Sequence, residues 1–307
     1  MIRPPVLASF IALALALSVV GCARGPLVAP EGTSPEVVDA WRRLNELRRE
    51  AGLQAVPLDE DAGHGGALHA RYLELNRRRV PREDPYSPHL QFFDYTPHEE
   101  LPGRPGFTDE GREAARKSCL GYDGTARENV EAQVATFHHR MPLLSPGLQS
   151  VGMATRRSGD AVFHVIVVEI DGDDWAPFVY PVNGQQNVPL AFTTGENPEP
   201  RPVEWFNGYA RGMAPRTGFP ITIDFGEANV YGVEGSLQKA DGTPVEAYAT
   251  SVEMAFHTTG VILPRPVLEP NTSYVATFDA TVVTYDGRYD RKESTRHRYT
   301  TTFRTGS

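Results

Sequence analysis

The chain has 307 residues, a formal net charge of −9 and a pI near 5.5. That acidic balance excludes an ordinary nucleic-acid partner, which would need a basic face. Two cysteines, Cys22 and Cys119, are too few for a disulfide framework, so stability must come from burial, and the length suffices for two domains.

At the N-terminus Arg3 supplies a positive charge, and Val6 to Val20 form an apolar stretch too short for an ordinary membrane span. It stops at Val19-Val20-Gly21-Cys22, which resembles a bacterial lipobox. Residues 1–21 are therefore expected to be a lipoprotein signal peptide, with Cys22 the lipidated first residue of the mature chain. Each buried acyl methylene adds roughly 0.8 kcal/mol of membrane affinity. Ala23 stands where an inner-membrane retention signal would place Asp. The expected location is thus the bacterial cell envelope, lipid-anchored, and the outer membrane in a cell that has two. The use of Cys22 as anchor leaves Cys119 alone, a small buried hydrophobe by composition.

Residues 22–33 read as a Pro/Gly tether. Ser34-Pro35-Glu36 gives an N-cap, a proline at the first helical position and an acid in the first turn, and Val37, Trp41, Leu44 and Leu47 follow at helical spacing up to Ala51-Gly52. A second helix is expected from Asp59 to Asn76, with Leu68, Tyr72 and Leu75 on one face. Its Gly63, Gly65 and Gly66 suggest close packing or a frayed first turn. The basic run Arg77-Arg78-Arg79 complements the helix dipole, and residues 77–107 form a long ordered loop. Thr108-Asp109-Glu110 opens a third helix that ends near Lys117, and Arg127 to Thr136 a fourth. The period then falls to two: Val151–Thr155 and AVFHVIVVEI, from Ala161, are strands joined by a Ser158-Gly159-Asp160 turn. From Trp175 onward short strands alternate with Pro/Gly/Asn turns, which suggests a β-sandwich of roughly seven strands.

The segment 34–172 resembles the CAP superfamily (cysteine-rich secretory, antigen 5 and pathogenesis-related proteins) in its bacterial SCP-like form. The matching pieces are LNELRREAGLQAVPLDED, ALHARYLELN, PHEELPGRPGFTDEG and FHHRMPLLSPGLQSVGMA, in that order. Residues 177–307 look like a bacterial Ig-like domain, through YPVNGQQNVPLAF, PITIDF and TTTFRTG. The expected fold is α+β: a CAP α-β-α sandwich followed by an all-β Ig-like sandwich.

The resemblance implies a cleft lined by two histidines and two glutamates, which sometimes holds a divalent metal. His98 and His139 fall where the family's histidines fall and should face one cleft, with Glu99 and Arg140 beside them. The glutamates do not carry over. One belongs in a Gly-Glu-Asn turn after the third helix, where this chain has Lys117-Ser118-Cys119. Glu128-Asn129 resembles that turn but stands too close to His139. The other belongs about three residues before His139, at Thr136. Zinc needs at least three protein ligands. His98 and His139 supply two, and a third must be sought among Glu99, Glu100, Glu128 and Cys119. The expectation is accordingly no cofactor, and at most weak divalent-metal binding. His64 and His69, five positions apart, lack the spacing of a helical metal pair. Ser118 and Ser145 have no nucleophile elbow around them. Asp171-Gly172-Asp173-Asp174 lacks the alternating ligands and closing glutamate of a calcium loop and reads as linker, while Asn271-Thr272-Ser273 is an incidental sequon.

Two functions compete. The first is a non-enzymatic envelope lipoprotein, held to the membrane through Cys22, whose CAP domain binds a lipid, glycan or protein ligand. The second is a hydrolase, protease- or nuclease-like, that uses the His98/His139 cleft with or without a metal. The missing glutamate pair favours the first.

Overall fold

The computed structural model describes residues 27–77, 97–171, 176–192, 196, 199–207, 215–226, 228–254, 257–285 and 291–307. The leader with Cys22, most of the loop read at 77–107, and Gly172, Asp173 and Asp174 lie outside the described residues. The chain is a mixed α+β protein with more strand (39%) than helix (26%), and among the described residues the α-helices all fall in its first half.

Four of the five helices described in that half begin at a side-chain cap. In α1 (Pro35–Glu50) Ser34 accepts the Val37 N–H, and in α2 (Glu60–Asn76) Asp59 accepts the Ala62 N–H at 3.0 Å. Thr108 caps α3 (Asp109–Arg116), and Thr125 with Glu128 forms a reciprocal capping box on α4 (Ala126–Ala135). Two elements escaped the periodicity reading: strand β1 (Ser118–Gly121) and the single-turn helix α5 (Arg140–Leu143). With β2 (Leu148–Ser158) and β3 (Ala161–Ile170), β1 forms an antiparallel sheet in the order β1-β3-β2.

The sheet is filled on both faces. Cys119, Met153 and Ile166 point into a core shared with Trp41 and Leu44 of α1 and Val130 and Val134 of α4. Leu120, Phe163, Val165 and Val167 point the other way, onto Ala70 and Leu73 of α2 and Ala114 of α3. The glycines of α2 serve close packing. At Gly152 of β2 an added Cβ would lie 2.2 Å from the Ala62 backbone carbon, so the helix rests directly on the strand. One expected core position differs: Leu75 is exposed, and the buried stripe of α2 runs through Gly66, His69, Ala70 and Leu73.

The second half is built of strands. A five-stranded sheet has the order β10 (Pro244–Val245), β9 (Asn229–Lys239), β13 (Ser273–Tyr285), β14 (Arg291–Thr305), β5 (Gln185–Val188). A four-stranded sheet has the order β11 (Ala247–Met254), β12 (His257–Pro264), β8 (Ile221–Asp224), β4 (Phe178–Tyr180). Every pairing is antiparallel except that of β14 with β5. The sheets meet at Gly235, where an added Cβ would come within 2.5 Å of Ile262, and at Gly260, packed near Ile223 and Phe278. A small ladder of β6 (Ala191–Phe192) with β7 (Thr217–Gly218) and a 3-10 turn at Val203–Phe206 complete the described part. The strands β4 to β14 exceed the seven expected, because several are short edge pieces of two to four residues.

The two halves are not merely strung together. Phe137 and Met141 pack on Val261 and Leu263 of β12, with Trp205 beside them. Arg140 is buried at the junction. Its Nε donates to the Val134 carbonyl at 2.7 Å and its Nη1 to the Pro220 carbonyl at 2.6 Å, while the guanidinium lies over the Tyr180 and Phe219 rings.

Candidate functional site

The site is built where α4 ends, where α5 begins and where the segment 97–100 crosses α2 and α3. His139 is the N-cap residue of α5, held by a carboxylate from the far half of the chain. Glu196 has a fully buried side chain and lies 3.1 Å from His139 Nδ1. Its two oxygens also accept the backbone N–H groups of Phe137 (2.8 Å), His138 (2.8 Å) and His139 (3.4 Å). Burial alone would raise the Glu196 pKa. The bond and charge of His139, the charge of His138 and the Phe137 N–H outweigh it and hold the carboxyl below its ordinary 4.5. The His139 side chain remains 25% exposed, so solvent or a ligand reaches its ring.

His98 is the other histidine of the expected pair. Its Nδ1 faces the Ala115 carbonyl at 3.3 Å, at the C-terminal end of α3. Since a carbonyl only accepts, Nδ1 carries the hydrogen and Nε2 the lone pair. Burial, followed by the charges of His139 and His69, pushes the His98 pKa below 6.5 against the pull of the Ala115 bond. The two histidines are thus close enough for their charges to couple.

Behind them lies His69 of α2, fully buried with Glu100. Nδ1 is 3.0 Å from Glu100 Oε1 and Nε2 3.0 Å from the Pro97 carbonyl. Nε2 must donate to the carbonyl, so one further proton binds the Nδ1···Oε1 contact. The other Glu100 oxygen accepts the Thr108 N–H at 3.0 Å, and Gly111 makes room for it, since a Cβ there would lie 2.5 Å from Oε1. The Tyr72 hydroxyl accepts the Leu101 N–H at 2.9 Å. These bonds fix the segment that carries His98.

The remaining expected site residues are placed elsewhere. Glu99 forms a paired ion bridge with Arg116 on the surface, at 3.0 and 3.1 Å, rather than lining the site. Arg140 turns away into the junction between the halves, where burial lowers its pKa to about 10. There it receives the carbonyls at the end of α4, as its position suggests. Glu128 is occupied in the α4 capping box. Cys119 is buried, and burial followed by the Glu196 charge pushes its thiol up to about 12, so it is no thiolate near neutrality. The Ser118 hydroxyl donates to the Ala115 carbonyl, and Ser145 accepts the Gly147 N–H. His64 is exposed, 4.0 Å from Glu110.

Sequence reasoning missed Glu196 and the pairing of Glu100 with His69. It also missed His164, a structural histidine that bonds Thr155 and the Gly124 carbonyl. A signal for Glu196 did exist: Gly195-Glu196-Asn197 spells the tripeptide sought after the third helix, but in the other half of the chain. Among the described residues no group of three His, Cys, Asp or Glu side chains is placed to hold a metal ion, and no helix is long and apolar enough to cross a membrane. A groove of about 560 Å³ and a smaller one of about 280 Å³ flank Gly52 and Leu53 near the junction and share no lining residue with the histidine cluster.

No family model matches the chain, and no curated protein matches it. Among solved structures, a DUF4426 family protein from Pseudomonas aeruginosa PAO1 is similar at 12% identity and a TM-score of 0.24, over 50% of this chain and 95% of that one. A likeness at that level carries no argument about fold or activity.

Proposed function

We propose that the protein is a bacterial envelope lipoprotein, tethered through lipidated Cys22. In this reading the first half is a CAP-like α-β-α sandwich that binds a lipid, glycan or protein ligand, and the second half is an Ig-like β-sandwich that supports it. The observation that carries it is the matching orientation of His98 and His139. Each ring has Nδ1 tied to a fixed oxygen, and His139 is open to solvent. Rings oriented in this way are prepared to make hydrogen bonds to a ligand. Binding is favoured over catalysis because the nearby nucleophile candidates are engaged: the Ser118 hydroxyl donates to a carbonyl, and the Cys119 thiol is protonated and buried.

A hydrolase is the second reading. The observation in its favour is the Glu196–His139 pair, since a carboxylate on Nδ1 is the usual way to ready a histidine as general base. A water would then have to serve as the nucleophile.

Two experiments test the first reading. Cys22→Ser should abolish labelling by a fatty-acid probe and release the protein from membranes; equal labelling of both forms would overturn the anchor. With the anchor removed by Cys22→Ser, the purified chain should co-sediment with an excess of bacterial envelope lipid vesicles or of peptidoglycan sacculi, and adding His98→Ala plus His139→Ala should abolish it. Sedimentation unchanged by the double substitution, or absent with every probe, would overturn the binding site.

A further inference from the structure

We infer that Glu196 is a positioning residue that sets the tautomer of His139, so that the site of the first half is completed by a side chain of the second. The functional meaning of this inference rests on the binding-site reading above. Its geometry does not.

Two oxygens approach His139 Nδ1. One is Glu196 Oε1 at 3.1 Å, the other Thr136 Oγ1 at 3.3 Å. Glu196 is held ionised by its surroundings, and a carboxylate only accepts. The Thr136 hydroxyl spends its single hydrogen on the Gln133 carbonyl at 2.7 Å, so toward His139 it too accepts. Nδ1 therefore carries the hydrogen, and the lone pair is placed on Nε2, the reverse of the tautomer that a free imidazole prefers. The main chain fixes the carboxylate in turn, through the N–H groups of Phe137, His138 and His139. Glu196 thus grips the turn and the ring of the same residue together.

His98 reaches the same tautomer by another route, through the Ala115 carbonyl of its own half. One histidine of the pair is set locally and the other from 57 positions away. The chemical consequence is specific. In its neutral form His139 meets a ligand as an acceptor, so the group it takes is a donor, an O–H or N–H, and not an anion.

The test is long-range 1H–15N correlation NMR on the full chain labelled with [15N]histidine. In the wild type, at a pH high enough for His139 to be neutral, its Nε2 should resonate as a pyridine-type nitrogen. Glu196→Ala should lose that signal and show a pyrrole-type Nε2, while His98 keeps its wild-type pattern. If circular dichroism shows that Glu196→Ala unfolds, Glu196→Met takes its place. Met retains much of the volume but offers no carboxylate or carbonyl acceptor to Nδ1, and the same change is expected. A wild-type His139 with a pyrrole-type Nε2, or a variant whose His139 tautomer is unchanged, overturns the positioning role whatever happens to binding. Co-sedimentation with envelope vesicles and sacculi separates the two claims. Tautomer and binding lost together support both, whereas a lost tautomer with unchanged binding supports the positioning role and overturns the site reading.

Discussion

The two halves are filled by different chemistry. The interior of the helix-flanked sheet contains Arg48, His69, Glu100, Asn129, Gln133, Arg140 and His164. In the β-rich half the buried polar residues are mostly threonines, among them Thr217, Thr222, Thr259 and Thr301. Buried charge is expensive unless every polar atom is answered. The first half answers it largely with main-chain oxygens: Arg48 donates to the carbonyls of Gln54, Leu143 and Ser145. The difference teaches that the first half uses its long polar side chains to tie irregular segments to helices, and acquires a site in doing so. The second half is a scaffold held by apolar facing sheets, and it lends that site one carboxylate.

Two of the buried arginines, Arg48 and Arg140, sharpen this comparison. Burial lowers both guanidinium pKa values to about 10, but Arg48 bonds only within the first half, whereas Arg140 also bonds Pro220. Arg140→Ala strips partners from the carbonyls of Val134, Ala135 and Pro220 and should cost about 4 kcal/mol, at 1–3 kcal/mol for each abandoned polar group less what water recovers. It should also split a single thermal transition into two. Arg48→Ala should cost a similar amount without splitting it. Differential scanning calorimetry distinguishes them, and two identical single transitions would show that Arg140 does not couple the halves.

Gly152→Ala comes next. The new methyl group meets the α2 backbone, which cannot yield as a side chain can, so a loss of about 3 kcal/mol is expected from overpacking. Since Arg140 couples the halves, urea denaturation should show the loss equally in the helical and the β-type signals. A loss confined to the helical signal would mean that the halves unfold separately.

Acid should act on the site in two stages of smaller size. The folded His98 pKa lies below 6.5, so as pH falls below 6.5 the unfolded chain binds the proton first and stability declines until the folded pKa is passed. The folded Glu196 pKa lies below 4.5, so its contribution is present above 4.5 and is lost as pH falls through the folded value. His98→Phe should flatten the upper stage and Glu196→Gln the lower, read as urea midpoint against pH. A lower stage that persists in Glu196→Gln would assign it to other carboxylates. The smallest effect is expected at Glu99. Its ion pair with Arg116 is on the surface, so Glu99→Gln should leave both the denaturation midpoint and co-sedimentation unchanged.

Much of the first half was legible because its signals are local. Ser34, Asp59 and Thr108 cap the helices that their positions announce, and the alternation from Ala161 matches β3. The Thr125…Glu128 capping box was equally legible and places the start of α4 one residue earlier than read. Strand β1 was not, since Ser118-Cys119-Leu120-Gly121 is too short to display a period and becomes a strand only by pairing with His164 to Val167. The site was half legible. His98 and His139 were singled out through the motifs that resemble the CAP family, but the partners that orient them are a carbonyl, which leaves no trace in sequence, and a glutamate in a segment without periodicity. Arg140 and Glu99 were misplaced for one reason: proximity in sequence says nothing about which way a side chain turns.

The grip of the second half on residues 137–140 also has a consequence in time. His139 waits for a partner 57 positions later and Arg140 for one 80 positions later. A chain that emerges from its N-terminus can form α1 to α4 and close its small sheet early, since the ladders of that sheet lie within its first 170 residues. The turn that bears His139 cannot settle until residue 220 has been delivered. Until then Phe137 and Met141 lack their cover on β12, and a sticky apolar face waits beside an unfinished loop. The last part of the first half to acquire its native form is therefore the part that carries the proposed site, and a truncated or stalled chain would display a folded body with an inactive centre.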